Sequence, residues 1–246
     1  MWNLFSGKKK GEVPIQPIRV DLHSHLIPGI DDGAKTDEES LALLRGMFDL
    51  GYRTCITTPH IYQGLYNNTP ATIASGLMRL RDICTAHAIN IKIEAAAEYF
   101  FDNNFFAALE SHQLLTFGNK YVLFELPAHS PPAMLHELVF KMNLNGYQPV
   151  LAHPERYMYY HDKKMRDYQR LKDLGVLFQL NLMSLTGYYK PEIRLAARDL
   201  VRHGMVDFAG SDLHKAKQLA VLQAAQQDDY FRLLIDSGKL LNDTLL

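Results

Sequence analysis

Residues able to hold divalent metals recur along this chain: His23 and His25, an aspartate pair at Asp31 and Asp32, then His60, Glu98, Glu125, His153, Asp212 and His214. Imidazole nitrogen and carboxylate oxygen together suit hard-to-borderline ions such as manganese, zinc or iron. Four or five histidines with three or four carboxylates could serve two or three such ions. The organising stretch is Asp21-Leu22-His23-Ser24-His25. The apolar run Ile18, Val20 and Leu22 predicts a strand, and strand alternation aims His23 and His25 at one spot while Ser24 points away. A single His-x-His is often only structural; it is the recurrence that points to a site.

Apart from the Asp31–Asp32 pair, which lies in the loop after the first strand, each of these residues falls where a strand should end. Thr36-Asp37-Glu38-Glu39 has the pattern of a capping box and opens a helix with Leu41, Leu44 and Phe48 on one face, stopped by Gly51. Cys55-Ile56-Thr57-Thr58 predicts a second strand ending at Pro59-His60, and Pro70 to His87 a helix. Ile91 to Ala97 is a third strand running into Glu98, and Tyr121 to Phe124 a fourth ending at Glu125. A helix over 133–145 leads to the fifth strand, Pro149 to Ala152, and then His153-Pro154. A helix over 165–174 precedes the sixth strand, Val176 to Leu180, which ends at Asn181. A helix containing Ile193, Ala196, Ala197, Leu200 and Val201 precedes the seventh, Val206 to Ala209, and then Gly210-Ser211-Asp212-Leu213-His214. A last helix or two follows from about Ala216.

Seven strands alternating with helices imply a parallel sheet. Without an obvious reversal they suggest an α/β, closed or nearly closed (β/α)7 TIM-like barrel, a doubly wound open sheet being the alternative. No linker or shift in composition divides the chain, so 17–246 is expected to form one domain behind a flexible tail, 1–16. In barrel enzymes the loops after the strands open onto one face, which is where the ligand-type residues collect here.

The composition, 47% apolar and 22% charged, is that of an ordinary globular protein, and a net charge of −1 argues against reliance on nucleic-acid phosphates. Lys8-Lys9-Lys10 reads as part of a solvated tail. Two cysteines, Cys55 and Cys84, give no disulfide framework and suggest a reducing, cytoplasmic compartment. No window approaches the roughly 20 apolar residues of a membrane span. His87, His112, His136, His161 and His203 fall in predicted helices or polar loops and are expected to be non-functional; His129, near a strand end, ranks between the two groups. Asp31 and Asp32 could be only turn residues before Gly33.

As a set, Asp-Leu-His-Ser-His at 21–25, Thr-Pro-His at 58–60, Glu98, Glu125, Ala-His-Pro-Glu-Arg at 152–156 and Gly-Ser-Asp-Leu-His at 210–214 resemble the PHP (polymerase and histidinol phosphatase) superfamily. Leu-Ile-Pro-Gly-Ile-Asp-Asp-Gly at 26–33 and His-Pro-Glu-Arg-Tyr at 153–157 are similar to its bacterial manganese-dependent protein-tyrosine phosphatases, which accompany capsule and exopolysaccharide synthesis genes. The resemblance implies a distorted seven-stranded barrel holding three metals. One would take His23, His25, Glu98 and Asp212; a second would share Glu98 and add Glu125 and His153. The third would use His60, His214 and an aspartate of the 31–32 pair, with Asp31 the first choice. Manganese is the first choice of metal, with iron or zinc as alternates. The implied partner is a phosphotyrosine protein, a bacterial membrane tyrosine kinase controlling polysaccharide export. One departure is that the family often has an arginine shortly after the last Asp-x-His, where this chain has Lys215-Ala216-Lys217; Lys215 could supply only a point charge.

Hydrolysis of a phosphate monoester suits such a site, because two metals about 4 Å apart can hold a bridging hydroxide and clamp an in-line displacement. Arg156, three residues past His153, is placed to grip phosphate as a catalytic residue, a surface salt bridge being its plainer reading. The loops are rich in rings: Tyr62, Tyr66, Tyr99, Phe100, Phe101, Phe105, Phe106, Tyr157, Tyr159, Tyr160, Tyr188 and Tyr189. Tyr62, Tyr99 and Tyr157 are the candidate substrate contacts with Lys215, although such rings could equally pack loops together. Neither Cys55 nor Cys84 has an arginine six residues later, so the usual cysteine-nucleophile route is closed. A histidinol-phosphate-type small-molecule phosphatase and a catalytically weak, metal-bound kinase-docking scaffold are the rival readings.

Overall fold

The computed structural model describes residues 18–118 and 120–246, so the expected tail, 1–16, with its three lysines, lies outside the described residues. The element order is β1 (Val20–Asp21), α1 (Asp37–Asp49), β2 (Thr54–Thr57), β3 (His60–Ile61), α2 (Pro70–Ala86), β4 (Lys92–Ala95) and β5 (Glu98–Phe100). It continues with α3 (Asn103–Glu110), β6 (Tyr121–Glu125), α4 (Leu135–Leu144), β7 (Gln148–Ala152), α5 (Arg166–Asp173) and β8 (Leu177–Asn181). Last come α6 (Pro191–Arg202), β9 (Phe208–Gly210), α7 (Gln218–Ala225) and α8 (Asp229–Asp236). The helix starts follow local chemistry. Thr36 accepts the N–H of Glu39, and Thr69 and Thr72 cap each other around Pro70.

Every ladder is parallel, and neighbours follow chain order: β1-β2-β4 in one sheet and β3-β5-β6-β7-β8-β9 in the other. The nine segments are seven strands, because β2 and β3 are one strand broken at Thr58-Pro59, and β4 and β5 one broken at Ala96-Ala97. Proline has no N–H to give the ladder. Bonds from Ala96 N–H to the Thr57 carbonyl (2.9 Å) and Glu98 N–H to the Pro59 carbonyl (3.1 Å) carry the pairing across the break.

Closure is made where β1 meets β9. Asp212 N–H donates to the His23 carbonyl at 2.7 Å and His25 N–H to the Leu213 carbonyl at 2.9 Å, with Ser24 bridged to Leu213. Below them the buried Asp21 carboxylate accepts from Ser211 N–H (2.7 Å) and Oγ (2.9 Å). Burial pushes its pKa up to about 6 against these hydrogen bonds. At the opposite end Asn242 sews the same seam, donating to the Val20 and Ala209 carbonyls (3.0 and 2.7 Å) and accepting Ala209 N–H (2.9 Å). The barrel is therefore closed and distorted, as the alternation of elements predicts.

Val20, Leu22, Ile56, Leu123, Val150, Ala152 and Phe208 form one apolar cluster, to which Phe117 and Leu245 add. This is the barrel interior. The intervening residues Cys55, Val122, Phe124, Leu151, Phe178 and Leu180 belong to the larger cluster shared with the helices. Because side chains alternate, Glu125 continues the inward file of Tyr121 and Leu123, and Asn181 that of Leu177 and Gln179. The site therefore sits above a mostly apolar interior, with the polar side chains of Gln179 and Asn181 nearest to it. Two features differ from the expectation: Phe105 and Phe106 lie in helix α3 rather than in a loop, and the β1 ladder is too short to include His23 and His25, which project from the seam itself.

Candidate metal centre

Strand register brings the donors together. His60 on β3 pairs directly with Glu98 on β5, and Glu125 ends β6, paired with Phe100 of β5. His153 follows β7 and Asp212 follows β9, with φ of 36° and 52° respectively. Left-handed backbone at non-glycine residues costs on the order of 1–3 kcal/mol, and it collects where a side chain must be aimed.

Glu98, 1% exposed, is the hub. Its Oε2 lies 3.2 Å from His23 Nε2, 3.2 Å from His60 Nδ1 and 3.5 Å from His25 Nε2, and its Oε1 lies 3.0 Å from His153 Nε2. Asp212 Oδ1 is 3.5 Å from His23 Nε2 and 3.6 Å from His25 Nε2, and Glu125 Oε1 is 3.2 Å from His60 Nδ1. Burial opposes charge on Glu98, yet His23 and then His60 hold its carboxyl well below the usual range. Burial likewise opposes charge on His23, but Glu98 and Asp212 outweigh it and raise its pKa to about 9. A cation entering such an array takes the place of protons.

The imidazoles are aimed from behind. His25 Nδ1 is 2.7 Å from Asp31 Oδ2, and His214 Nδ1 is 2.9 Å from the Asp212 carbonyl, leaving each Nε2 to the cluster. Here the expectation for Asp31 is corrected. Its oxygens also accept Gly33 N–H (2.9 Å) and His60 N–H (3.2 Å), so the carboxylate is consumed in holding the loop. Asp32 rather than Asp31 falls among the clustered donor atoms, its Oδ1 lying 3.3 Å from His214 Nε2 and 3.5 Å from His60 Nε2.

Four donor groups result: His25, Asp32, His60 and His214; His23, Glu98 and His153; His23, His25 and Asp212; and His60, Glu98 and Glu125. Within each, one atom per residue lies within 4.8 Å of the others. Glu125 thus sits beside His60 and Glu98, whereas the expected second set placed it with Glu98 and His153. The donors fit divalent ions: only nitrogen and oxygen, mostly buried, with His153 Nδ1 buried and lacking a hydrogen-bond partner. The Asp31/Asp32 assignment predicts opposite phenotypes. Asp32→Ala, at a half-exposed side chain, should lose about one equivalent of bound metal and leave the metal-free melting temperature nearly unchanged. Asp31→Ala should lower that melting temperature by several degrees and loosen His25. Metal analysis and thermal denaturation of both variants check this, and the reverse pattern would return the ligand role to Asp31.

Arg156 lies at the wall of the cluster. Its Nη1 donates to Asp212 Oδ2 at 2.9 Å and its guanidinium lies 4.9 Å from the Tyr189 ring centroid. Asn181 Nδ2 donates to the same Asp212 oxygen (2.8 Å) and to the Tyr189 hydroxyl (2.9 Å). Beneath them the buried Glu155 Oε1 accepts Asn181 N–H (3.0 Å) and the Ser184 hydroxyl (2.7 Å), fixing the turn that presents Arg156.

A cleft of about 290 Å³ opens over the donors, lined also by Arg156, Tyr62, Leu65, Tyr66, Tyr189 and Gln218. Larger hollows of about 480 Å³ beside Arg81 and Cys84 and about 570 Å³ beside Ile18 and Ile235 lie elsewhere, without such a donor set. Of the expected substrate contacts only Tyr62 lines this cleft, its ring stacked on Phe100 at 3.8 Å. Tyr99 and Tyr157 are core residues, 1% and 3% exposed, whose hydroxyls accept Leu115 N–H and Leu126 N–H. Lys215 Nζ donates to the Gly33 carbonyl at 2.9 Å and does not line the cleft. Tyr66, stacked on His60 at 5.3 Å, and Tyr189 line the cleft, although in the sequence they are only two rings among twelve. His87, His112, His129, His136 and His203 are exposed and His161 half-buried, none in a donor group.

The family described as "Capsular polysaccharide synthesis, CpsB/CapC" matches residues 19–226. The chain belongs to the CpsB/CapC family. It is 30% identical over 199 residues to the tyrosine-protein phosphatase YwqE of Bacillus subtilis, covering 80% of this chain and 78% of that protein. It is 29% identical over 206 residues to the tyrosine-protein phosphatase CpsB of Streptococcus pneumoniae, covering 79% and 82%. A crystal structure from work on YwqE and CpsB, described there as unique metal-dependent tyrosine phosphatases, superposes with a TM-score of 0.77 at 26% identity, covering 92% of this chain and 95% of that one. The Escherichia coli phosphotriesterase homology protein superposes at 0.52 with 15% identity, a likeness of fold alone. The PHP-type, CpsB/CapC barrel expected from the motifs is thus the fold this chain adopts.

Proposed function

We propose that this chain is a metal-dependent, non-cysteine protein-tyrosine phosphatase. Its substrate on this reading is the phosphorylated tail of a membrane tyrosine kinase that controls capsule or exopolysaccharide synthesis, met in the cytoplasm. The observation that carries the reaction is the nitrogen and oxygen donor cluster on the floor of a cleft with Arg156 in its wall. The ligands are His23, His25, Asp32, His60, Glu98, Glu125, His153, Asp212 and His214, and manganese is the first choice of ion. Bound divalent cations would supply Lewis-acid charge at the phosphoryl oxygens and make water acidic enough to attack.

The rest falls to the chain's own side chains. Arg156 gives one N–H to Asp212, and its remaining N–H groups can grip phosphate and oppose the charge of the transition state. Tyr189 beneath and Asn181 beside it hold that geometry. Tyr62, Leu65 and Tyr66 offer an apolar wall to an aromatic ring. A tyrosine phenolate, with a pKa near 10, leaves without the strong protonation that serine phosphate demands.

The test is phosphate release by metal-stripped protein reloaded with manganese, iron or zinc, acting on phosphotyrosine peptide, phosphoserine peptide and histidinol phosphate. Metal-dependent release selective for phosphotyrosine is expected; preference for histidinol phosphate, or binding without release, would overturn the proposal. In the same assay Arg156→Ala should lower kcat/KM by about 10²–10³-fold, and Arg156→Lys should recover only part, since lysine lacks the planar fork.

A further inference from the structure

Gln179 lies on β8, fully buried, two residues before Asn181 and facing inward beneath the cluster. Its Nε2 donates to the Leu180 carbonyl at 2.8 Å, while its Oε1 lies 3.3 Å from His153 N–H and 2.7 Å from His23 Nδ1. The two main-chain partners have fixed polarity: a carbonyl can only accept and an amide N–H can only donate. They settle which end of the side-chain amide is oxygen. An oxygen facing His23 Nδ1 requires that nitrogen to carry the proton, which leaves Nε2 of the neutral ring with its lone pair toward Glu98 and Asp212.

The space for this arrangement is reserved. A Cβ placed on Gly210 would lie 2.7 Å from Gln179 Nε2 and 2.7 Å from the His23 Cβ, so a side chain at 210 would drive the pair apart. His25 and His214 reach the same orientation through acceptors on local segments, Asp31 and the Asp212 carbonyl. His23 has its acceptor across the barrel, 156 residues away in sequence.

We infer that Gln179 is the positioning residue that fixes the tautomer and aim of His23, and so sets metal affinity at the ions His23 ligates. This rests on the metal reading of the cluster and is independent of the substrate. In zinc-loaded protein carrying ¹⁵N-labelled histidine, the His23 ring should show a protonated, hydrogen-bonded Nδ1 and a metal-bound Nε2. In Gln179→Met, of similar length but without the acceptor, that Nδ1–H resonance should shift. Competition titration with a zinc chelator should then show binding weakened about 10–100-fold. His153 N–H keeps its ladder bond to the Gln179 main-chain oxygen (2.8 Å), so circular dichroism should remain native. Gly210→Ala should reproduce the loss by crowding the pair. A metal-bound Nδ1 in the wild type, or equal zinc affinity in Gln179→Met, would overturn the role, the first without need of any variant. A wild type that binds no zinc would overturn the metal reading itself, and this role with it.

Discussion

Replacing Glu98 by glutamine should abolish phosphotyrosine hydrolysis, lowering kcat on the order of 10³-fold or more, while the far-ultraviolet dichroism stays native. The magnitude follows from position. Four imidazoles lie within 3.5 Å of its two oxygens, and two of the donor groups include it. An amide keeps the shape but withdraws the charge and one acceptor, so neighbouring ions lose a shared ligand together. Metal analysis of the variant should show more than one equivalent lost, whereas Asp32→Ala loses one. Retention of a full metal complement and of turnover by Glu98→Gln would remove the hub from the mechanism.

Stripping the metals should lower the melting temperature by roughly 10–20 °C. Each ion that binds only the native state stabilises it by about 2.7 kcal/mol at a hundredfold excess over its Kd. Two such ions give about 5 kcal/mol, and for a domain of this size each kcal/mol is worth about 2–4 °C. Scanning calorimetry with chelator, and again after manganese is restored, measures the difference. A melting temperature indifferent to metal would mean that the clustered donors do not bind ions in the folded protein.

Most of the barrel and the donor set can be read from the chain because barrel geometry puts every strand end on one face. A His, Asp or Glu closing an apolar run therefore reports its own location. What escapes the sequence has local causes. α3 begins at Asp102, which caps Phe105 N–H, but its first turn carries two adjacent phenylalanines that read equally well as a ring-rich loop. Asp31 and Asp32 differ only in which way a tight loop turns them, and that is set by Gly33 and His60 N–H groups competing for Asp31. Tyr99 and Tyr157 look like rim residues until the core is seen to need them, each anchoring a main-chain N–H in an apolar setting. Gln179 carries no signal, since an uncharged amide in an apolar strand stands out only once its partners on other strands are placed.

The seam between β1 and β9 gives the protein a timetable. Asp21 and Ser211 meet across 190 residues, and Asn242 reaches Val20 across 222. His23 and His25 therefore leave the ribosome long before Asp212 and His214 exist to face them. Contacts this distant in sequence form late and slowly. A half-made chain has His23, His25, His60 and Glu98 but lacks the residues that face them across the seam. Of the four donor groups, the two that include Asp212 or His214 can be completed only after the last strand has been translated and the barrel has closed.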